Sequence, residues 1–292
     1  MPRDAAAPVV RPLARGEAAT AVDWAAAEGW NPGLADLDAV LAQDPGLFLG
    51  AFEGDRLASV IGATRYGEAF GFVGFYIARP EARGRGHGLA VWRAGMARLA
   101  GRVVGLDGVV AQQENYRRSG FAPAWRNIRF GGTVPSPPPG EARPPGGARV
   151  VPAASVPLAE VEALDASVFP APRPDFLRAW LSAPGHAALA IVRDGAAVGF
   201  GAIRPCRVGH KVGPLVAGDA RDAGALLAAL LRARADAGGP VFLDAPEPNR
   251  AATALAEGLG LAPAFETARM YTGPAPLARP GRLFGVATFE LG

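Results

Sequence analysis

An apolar run at Val9–Leu13 opens the chain, and an alanine-rich stretch with helical spacing covers Gly16–Glu28. After the turn GWNPG, a second helical pattern covers Leu34–Gln43. Two strand-like runs follow in LFLGAFEGDRLASVIGATRY; the Glu53-Gly54-Asp55 turn joins them as a hairpin, and GFVGFYIA is a third strand. Beyond RGRGHG (83–88) come a helix, the buried-type strand RVVGLDGVV, a short helix around Gln112–Ser119 and the strand FAPAWRNIRF. The first half thus reads β-α-α-β-β-β-α-β-α-β.

The same order then returns. ARVVP is a strand, Ser155–Val168 and Asp175–Leu181 are helices, and ALAIVRDGAAVGFGAIR is a hairpin turned at Arg193-Asp194-Gly195. HKVGPLV is a strand, Asp219–Ala237 a helix, PVFLDA a strand, Arg250–Gly258 a helix and LAPAFETARMY a strand, and RLFGVATFEL closes the chain. VGFY at Val73 aligns with VGPL at Val212, LDG at Leu106 with LDA at Leu243, and SGF at Ser119 with LGL at Leu259, at offsets of 139, 137 and 140. Between the halves lies TVPSPPPGEARPPGGA (133–148), dense in Pro and Gly and without apolar period, which predicts an exposed, semi-stiff connector. The reading is a diverged duplication, with domains at 1–132 and 149–292.

Composition excludes more than it assigns. Of 292 residues half are hydrophobic and 20% are charged, which describes a globular protein with cores. The net charge of +3, with acids and bases interleaved, is too small to argue for nucleic acid or a membrane surface. Cys206 is the only cysteine, so no intramolecular disulfide can form, and a lone Cys in an apolar strand reads as a small core residue. MPRDAAAPVV has no apolar signal region, and no stretch approaches the ~20 apolar residues that span a bilayer. A soluble, cytoplasmic chain is expected. His87, His186 and His210 are scattered without metal-ligand spacing, so no metal is expected.

RGRGHG carries the candidate chemistry. A dinucleotide fingerprint needs G-x-G-x-x-G, and Gly84-x-Gly86-x-Gly88 has the wrong spacing. A nucleic-acid patch would want more basic residues along the next helix, where Arg93 and Arg98 suit an ordinary solvated face. A glycine-rich turn without ligand is the bland alternative. The element order, with PEARGRGHG between strand and helix and YRRSGF later, resembles the GNAT (Gcn5-related N-acetyltransferase) superfamily over residues 8–131. The second half resembles the same fold with its motif eroded. The resemblance implies an α/β (α+β) protein of two tandem GNAT folds, each a mixed, largely antiparallel sheet flanked by helices.

That family's acetyl-CoA loop, Arg/Gln-x-x-Gly-x-Gly/Ala, falls here on Arg83-x-x-Gly86-x-Gly88, with Gly84, Arg85 and His87 between. Glycines let backbone N–H groups approach a pyrophosphate, and the following helix adds the partial positive charge of its N-terminus. The resemblance further implies that the strand end Phe75, Tyr76, Ile77 and Ala78 meets the thioester carbonyl and pantetheine. Tyr116, in the pattern Y-x-x-x-G-F, would then protonate the departing thiolate. The family often has an Asn seven residues earlier; this chain has Val109 there, leaving Asn115 or Gln112 as alternative cofactor contacts.

Other roles stay open. Asp107 or Glu68 could serve as base, or water alone. Asp244 stands at the place of Asp107 in the second half, which favours a structural role for both. Trp30 and Asn31, in the connection between the first two helices, are candidates to contact a small-molecule or peptide amine, or read simply as a turn. In the second half the phosphate loop is shortened, Asp219 and Asp222 stand at the helix start, and Ala256 replaces the Tyr, so that half is expected to be catalytically silent. A non-catalytic acyl-CoA-binding module remains the rival to an N-acetyltransferase.

Overall fold

The computed structural model describes residues 8–135, 138, 143–234, 238–276 and 279–292; part of the expected connector and residues 235–237 of the expected helix lie outside them. The first half runs β1 (Val9–Pro12), α1 (Arg15–Ala27), α2 (Asp36–Gln43), β2 (Phe48–Glu53), β3 (Arg56–Tyr66), β4 (Phe70–Ala78), α3 (His87–Arg98), β5 (Val103–Val109), α4 (Gln113–Arg118) and β6 (Ala122–Gly132). The second half follows the same plan: β7 (Arg149–Pro152), α5 (Leu158–Asp165), α6 (Pro174–Ser182), β8 (Ala187–Arg193), β9 (Ala196–Pro205), β10 (His210–Ala217), α7 (Ala220–Arg232), β11 (Val241–Pro246), α8 (Arg250–Gly258) and β12 (Ala262–Tyr271). A last short strand, β13 (Leu283–Gly285), has no counterpart in the first half. The helix expected from Ser155 begins only at Leu158, because Pro157 occupies the N-cap in extended geometry.

The strands form one 13-stranded sheet in the order β1-β2-β3-β4-β5-β12-β6-β11-β10-β9-β8-β7, with β13 beside β10. Each half therefore gives its last long strand to the other. β12 pairs with β5, from Thr267 opposite Val109 to Tyr271 opposite Gly105. β6 pairs with β11, from Gly132 opposite Val241 to Asn127 opposite Pro246. The exchanged strands also pair with each other. The connector at 133–148 divides the sequence, but it does not divide the sheet. The neighbours β4–β5 and β10–β11 are parallel, and the other named pairs are antiparallel.

Alternation along the strands builds two layers on this sheet. Leu49, Ala51, Ile61 and Val73 face Val91 and Trp92 of α3, and Val212, Leu215 and Leu243 face Leu226 and Leu230 of α7. On the opposite side Ala21, Ala25 and Val40 share one core with Phe176, Leu177 and Trp180, so the first two helices of both halves pack together.

Two buried ion pairs mark the exchange. Arg269 of β12 donates Nε and Nη2 to Asp107 of β5 at 2.9 and 2.7 Å. Arg129 of β6 donates Nε and Nη2 to Asp244 of β11 at 2.7 and 2.8 Å. The pairs are related by the internal duplication, and both carboxylates are fully shielded from solvent. A third buried pair, Arg204 with Asp36 at 2.9 Å, ties β9 to α2.

Removing one member of such a pair strands the other as an uncompensated buried charge. Arg269→Met is expected to lower unfolding free energy by about 3–5 kcal/mol. Arg269→Met combined with Asp107→Leu should recover part of that loss. Urea unfolding of the two variants against the parent chain measures both.

Candidate active site

Parallel pairing of β4 with β5 runs only from Phe70 opposite Val103 to Val73 opposite Leu106. Beyond Val73 the two strands part. The register on the other side of β4 also shifts here, between Val60 and Gly62, and Phe75 takes φ +49. A bulky residue at positive φ is unusual and is found where a bulge re-aims the backbone. The Phe75 ring packs edge-on against Phe48 at 5.1 Å, so core packing holds the bulge. From Gly74 onward the edge of β4 facing β5 has no strand alongside, and it lines a cleft of about 660 Å³. That volume suits a small-molecule site.

The floor of the cleft leads to the start of α3. Gly84 and Gly86 have φ +74 and +86, and an added Cβ at either would meet nothing within 4 Å. Gly86 is the N-cap of α3, and no side chain caps it. The first N–H groups of this helix are thus left open beside the cleft, which is the arrangement that binds an anion. Tyr76, Ile77, Ala78, Arg83, Gly84, Gly86 and Gly88 all line the cleft. Arg85 and His87 do not: Arg85 turns outward to pair with Glu53, and His87 is buried in the first turn of α3. The Arg83 side chain donates to Ala78 O at 3.1 Å and pairs with Glu28 at the cleft wall.

Tyr116 also lines the cleft, in an aromatic row with Trp92 (5.6 Å) and, beyond it, Tyr76 (5.3 Å from Trp92). Gly108 makes room for it, since a Cβ there would stand 2.9 Å from the Tyr116 ring. Burial pushes the Tyr116 phenol above its ordinary pKa, and the neighbouring Tyr76 adds to the rise. The phenol is therefore protonated at neutral pH. Asn115 lies outside the lining and donates to Gln112 at 2.7 Å, while Gln112 and Val109 are in it.

The four substrate-side candidates separate. Trp30 lines the cleft, its carbonyl held by Arg129 at 2.7 Å. Asn31 instead joins the halves, exchanging two 2.9 Å hydrogen bonds with the backbone of Val208. Glu68 sits in the turn before β4, at the far end of that strand from the cleft. Asp107 reaches the lining, but its carboxylate is consumed by Arg269 and by Asn127 Nδ2 at 2.8 Å. Four lining residues come from the second half and escaped sequence reasoning: Phe265 and Thr267 of β12, and Phe289 and Glu290 after β13. No local signal marks them, because Phe265 and Thr267 arrive through strand exchange and Phe289 and Glu290 through the C-terminal segment.

The corresponding opening in the second half is filled. β10 pairs with β11 only from His210 to Val212, and beyond that β13 enters, with Leu215 opposite Gly285. Val286 N then donates to Asp244 O at 2.9 Å. At the start of α7 the Asp219 carboxylate accepts from the N–H groups of Arg221 and Asp222, both at 2.9 Å. That helix start is capped by the chain's own carboxylate.

Comparison with known proteins agrees with this two-part description. The acetyltransferase (GNAT) family profile matches residues 17–121, and an acetyltransferase (GNAT) domain profile matches residues 161–285. The chain is similar to holothin acyltransferase of Pseudoalteromonas sp. (strain SANK 73390), 30% identical over 271 residues, 92% of this chain and 90% of that protein. Among solved structures, a candidate acetyltransferase from Pyrococcus horikoshii superposes with TM-score 0.77 at 21% identity, over 98% of this chain and 96% of that one. A tandem GNAT protein from the clavulanic acid biosynthesis pathway, solved without AcCoA, gives 0.62 at 17% identity, over 92% and 100%.

The C-terminal segment shapes the cleft through Gly74, where a Cβ would meet the Glu290 carbonyl oxygen at 2.1 Å. Gly74→Val is expected to expel the segment, because backbone cannot yield as a side-chain tip does. Carboxypeptidase should then digest the last ten or so residues of the variant while sparing those of the parent chain.

Proposed function

Because the chain belongs to the GNAT acyltransferase superfamily and carries two GNAT units in tandem, we propose that it transfers an acetyl group from acetyl-CoA to an amine in the cleft of the first unit. The observation that carries this reading is the contrast between two equivalent helix starts. The start of α3 is uncapped and opens on a cleft; the start of α7 is capped by Asp219 beside an opening filled by β13.

The residues fit coenzyme A. Backbone N–H groups after Gly84 and Gly86, with Arg83 beside them, would hold the pyrophosphate. The open edge of β4 over Tyr76–Ala78 would take the pantetheine amides as a short strand takes a partner. The bound thioester supplies the activated acyl carbon. Around it the bulge at Phe75 presents backbone at the end of the paired region, where a donor can meet the developing oxyanion. Tyr116 holds a proton on its phenol oxygen at neutral pH and is the acid for the thiolate. A relative matching most of the chain is named an acyltransferase, which supports turnover over acyl-CoA binding alone.

Calorimetric titration is expected to find one acetyl-CoA bound per chain. Gly86→Glu should abolish binding by placing a carboxylate, at positive φ, on the pyrophosphate position. Tyr116→Phe should keep binding while slowing CoA release to an amine by about 100-fold. Wild-type turnover in Tyr116→Phe removes the acid role; binding that survives Gly86→Glu removes the anion site.

A further inference from the structure

Two polar atoms of the cleft lining are buried without a hydrogen-bond partner: Thr267 Oγ1 and Glu290 Oε1. Both belong to the second half. A buried carboxylate oxygen with no partner is unfavourable unless something binds it.

Glu290 is held in place on every other side. Its Oε2 accepts from the Thr288 hydroxyl, and its main chain rests on Gly74. The next carbonyl, Leu291 O, accepts from Tyr66 Oη at 2.9 Å, and Gly292 O accepts from Arg173 at 3.0 Å. The other lining carboxylates are engaged, Asp107 by Arg269 and Asn127, and Glu28 by Arg83. Two buried cations on this side feel the Glu290 charge without bonding it: Arg129, which is committed to Asp244 and lies over the Phe265 and Phe289 rings, and Lys211, which donates to Asn31 O at 3.0 Å. Glu290 Oε1 is thus an acceptor kept in reserve, beside the point where β4 leaves β5. Phe265 and Phe289, ring centroids 6.2 Å apart, wall the same cleft.

We propose that Glu290 is the catalytic residue that receives the acceptor's ammonium group and takes its proton, and that the acceptor is a primary amine on an aromatic body. The inference rests on reading the cleft as an amine-acetylating site. Glu290 takes one proton from the ammonium, and the freed nitrogen lone pair forms the C–N bond at the thioester carbonyl carbon. The C–S electron pair leaves on sulfur, which Tyr116 protonates. The second proton lost by nitrogen returns through solvent to the Tyr116 phenolate, and Glu290 releases its own to solvent. Ammonium and thioester become amide, thiol and one proton.

The test compares the full chain with Glu290→Gln on two aromatic amines at pH 7, with acetyl-CoA as donor. Phenethylamine is protonated there, and 4-anisidine is neutral. Glu290→Gln should bind acetyl-CoA as the parent does, which shows it folded. It should lose about 100-fold in CoA release with phenethylamine and much less with 4-anisidine. Equal losses on both amines, or parental rates on phenethylamine, overturn the role of Glu290 alone. Acetyl-CoA bound by the parent chain with neither amine acetylated overturns the amine-transfer reading, and this inference with it.

Discussion

Exchange of one strand between the halves places a charged seam in the middle of the sheet. Asp107 meets Arg269 and Asp244 meets Arg129, each across the boundary between the two sequence halves. Buried ion pairs contribute little net stability against well-packed apolar groups, but half of one is very unfavourable. The seam therefore acts on composition rather than on choice of strand. β12 beside β5 and β6 beside β11 satisfy both carboxylates, and because the two arginines are equivalent by duplication, the seam requires an arginine-bearing strand beside each aspartate. Arg129 also holds the carbonyl of Trp30, so the same pair that joins the exchanged strands anchors one wall of the cleft.

The C-terminal segment extends this dependence to the site. It passes two equivalent glycines, Gly213 and Gly74, and a Cβ on either would meet its backbone at 2.1 Å, at Val286 O and at Glu290 O respectively. At the first crossing it fills the opening of the second half; at the second it delivers Phe289 and Glu290 to the opening of the first. Duplication made two clefts alike, and one segment of ten residues makes them unlike. With Asp219 on one helix start and no cap on the other, only one of the two remains open to an anion.

Local patterns in the sequence reached the elements and singled out the glycine-rich loop that lines the cleft at the start of α3. Period-two and period-3.6 spacing placed the helices and strands of both halves, and the duplication identified Asp107 with Asp244. What they bind was out of reach, because each arginine partner lies more than a hundred residues away on a strand whose sheet position no local pattern encodes. FAPAWRNIRF and LAPAFETARM are interchangeable as strands, so nothing in either tells which neighbour it takes. Arg85 and His87 illustrate a smaller limit. The loop motif names consecutive residues, but the turn into α3 directs alternate ones outward or into the helix.

Strand exchange also orders events during synthesis. When residue 132 leaves the ribosome, the first unit has β5 and β6 but lacks the strand between them, and that strand is complete only at Tyr271. The phenol of Tyr66 finds its acceptor 225 residues later. Until then an open sheet edge is exposed, the kind of surface that invites pairing with other chains. A nascent chain of this design completes its cleft late, when Phe265, Thr267, Phe289 and Glu290 join the first-half residues that line it.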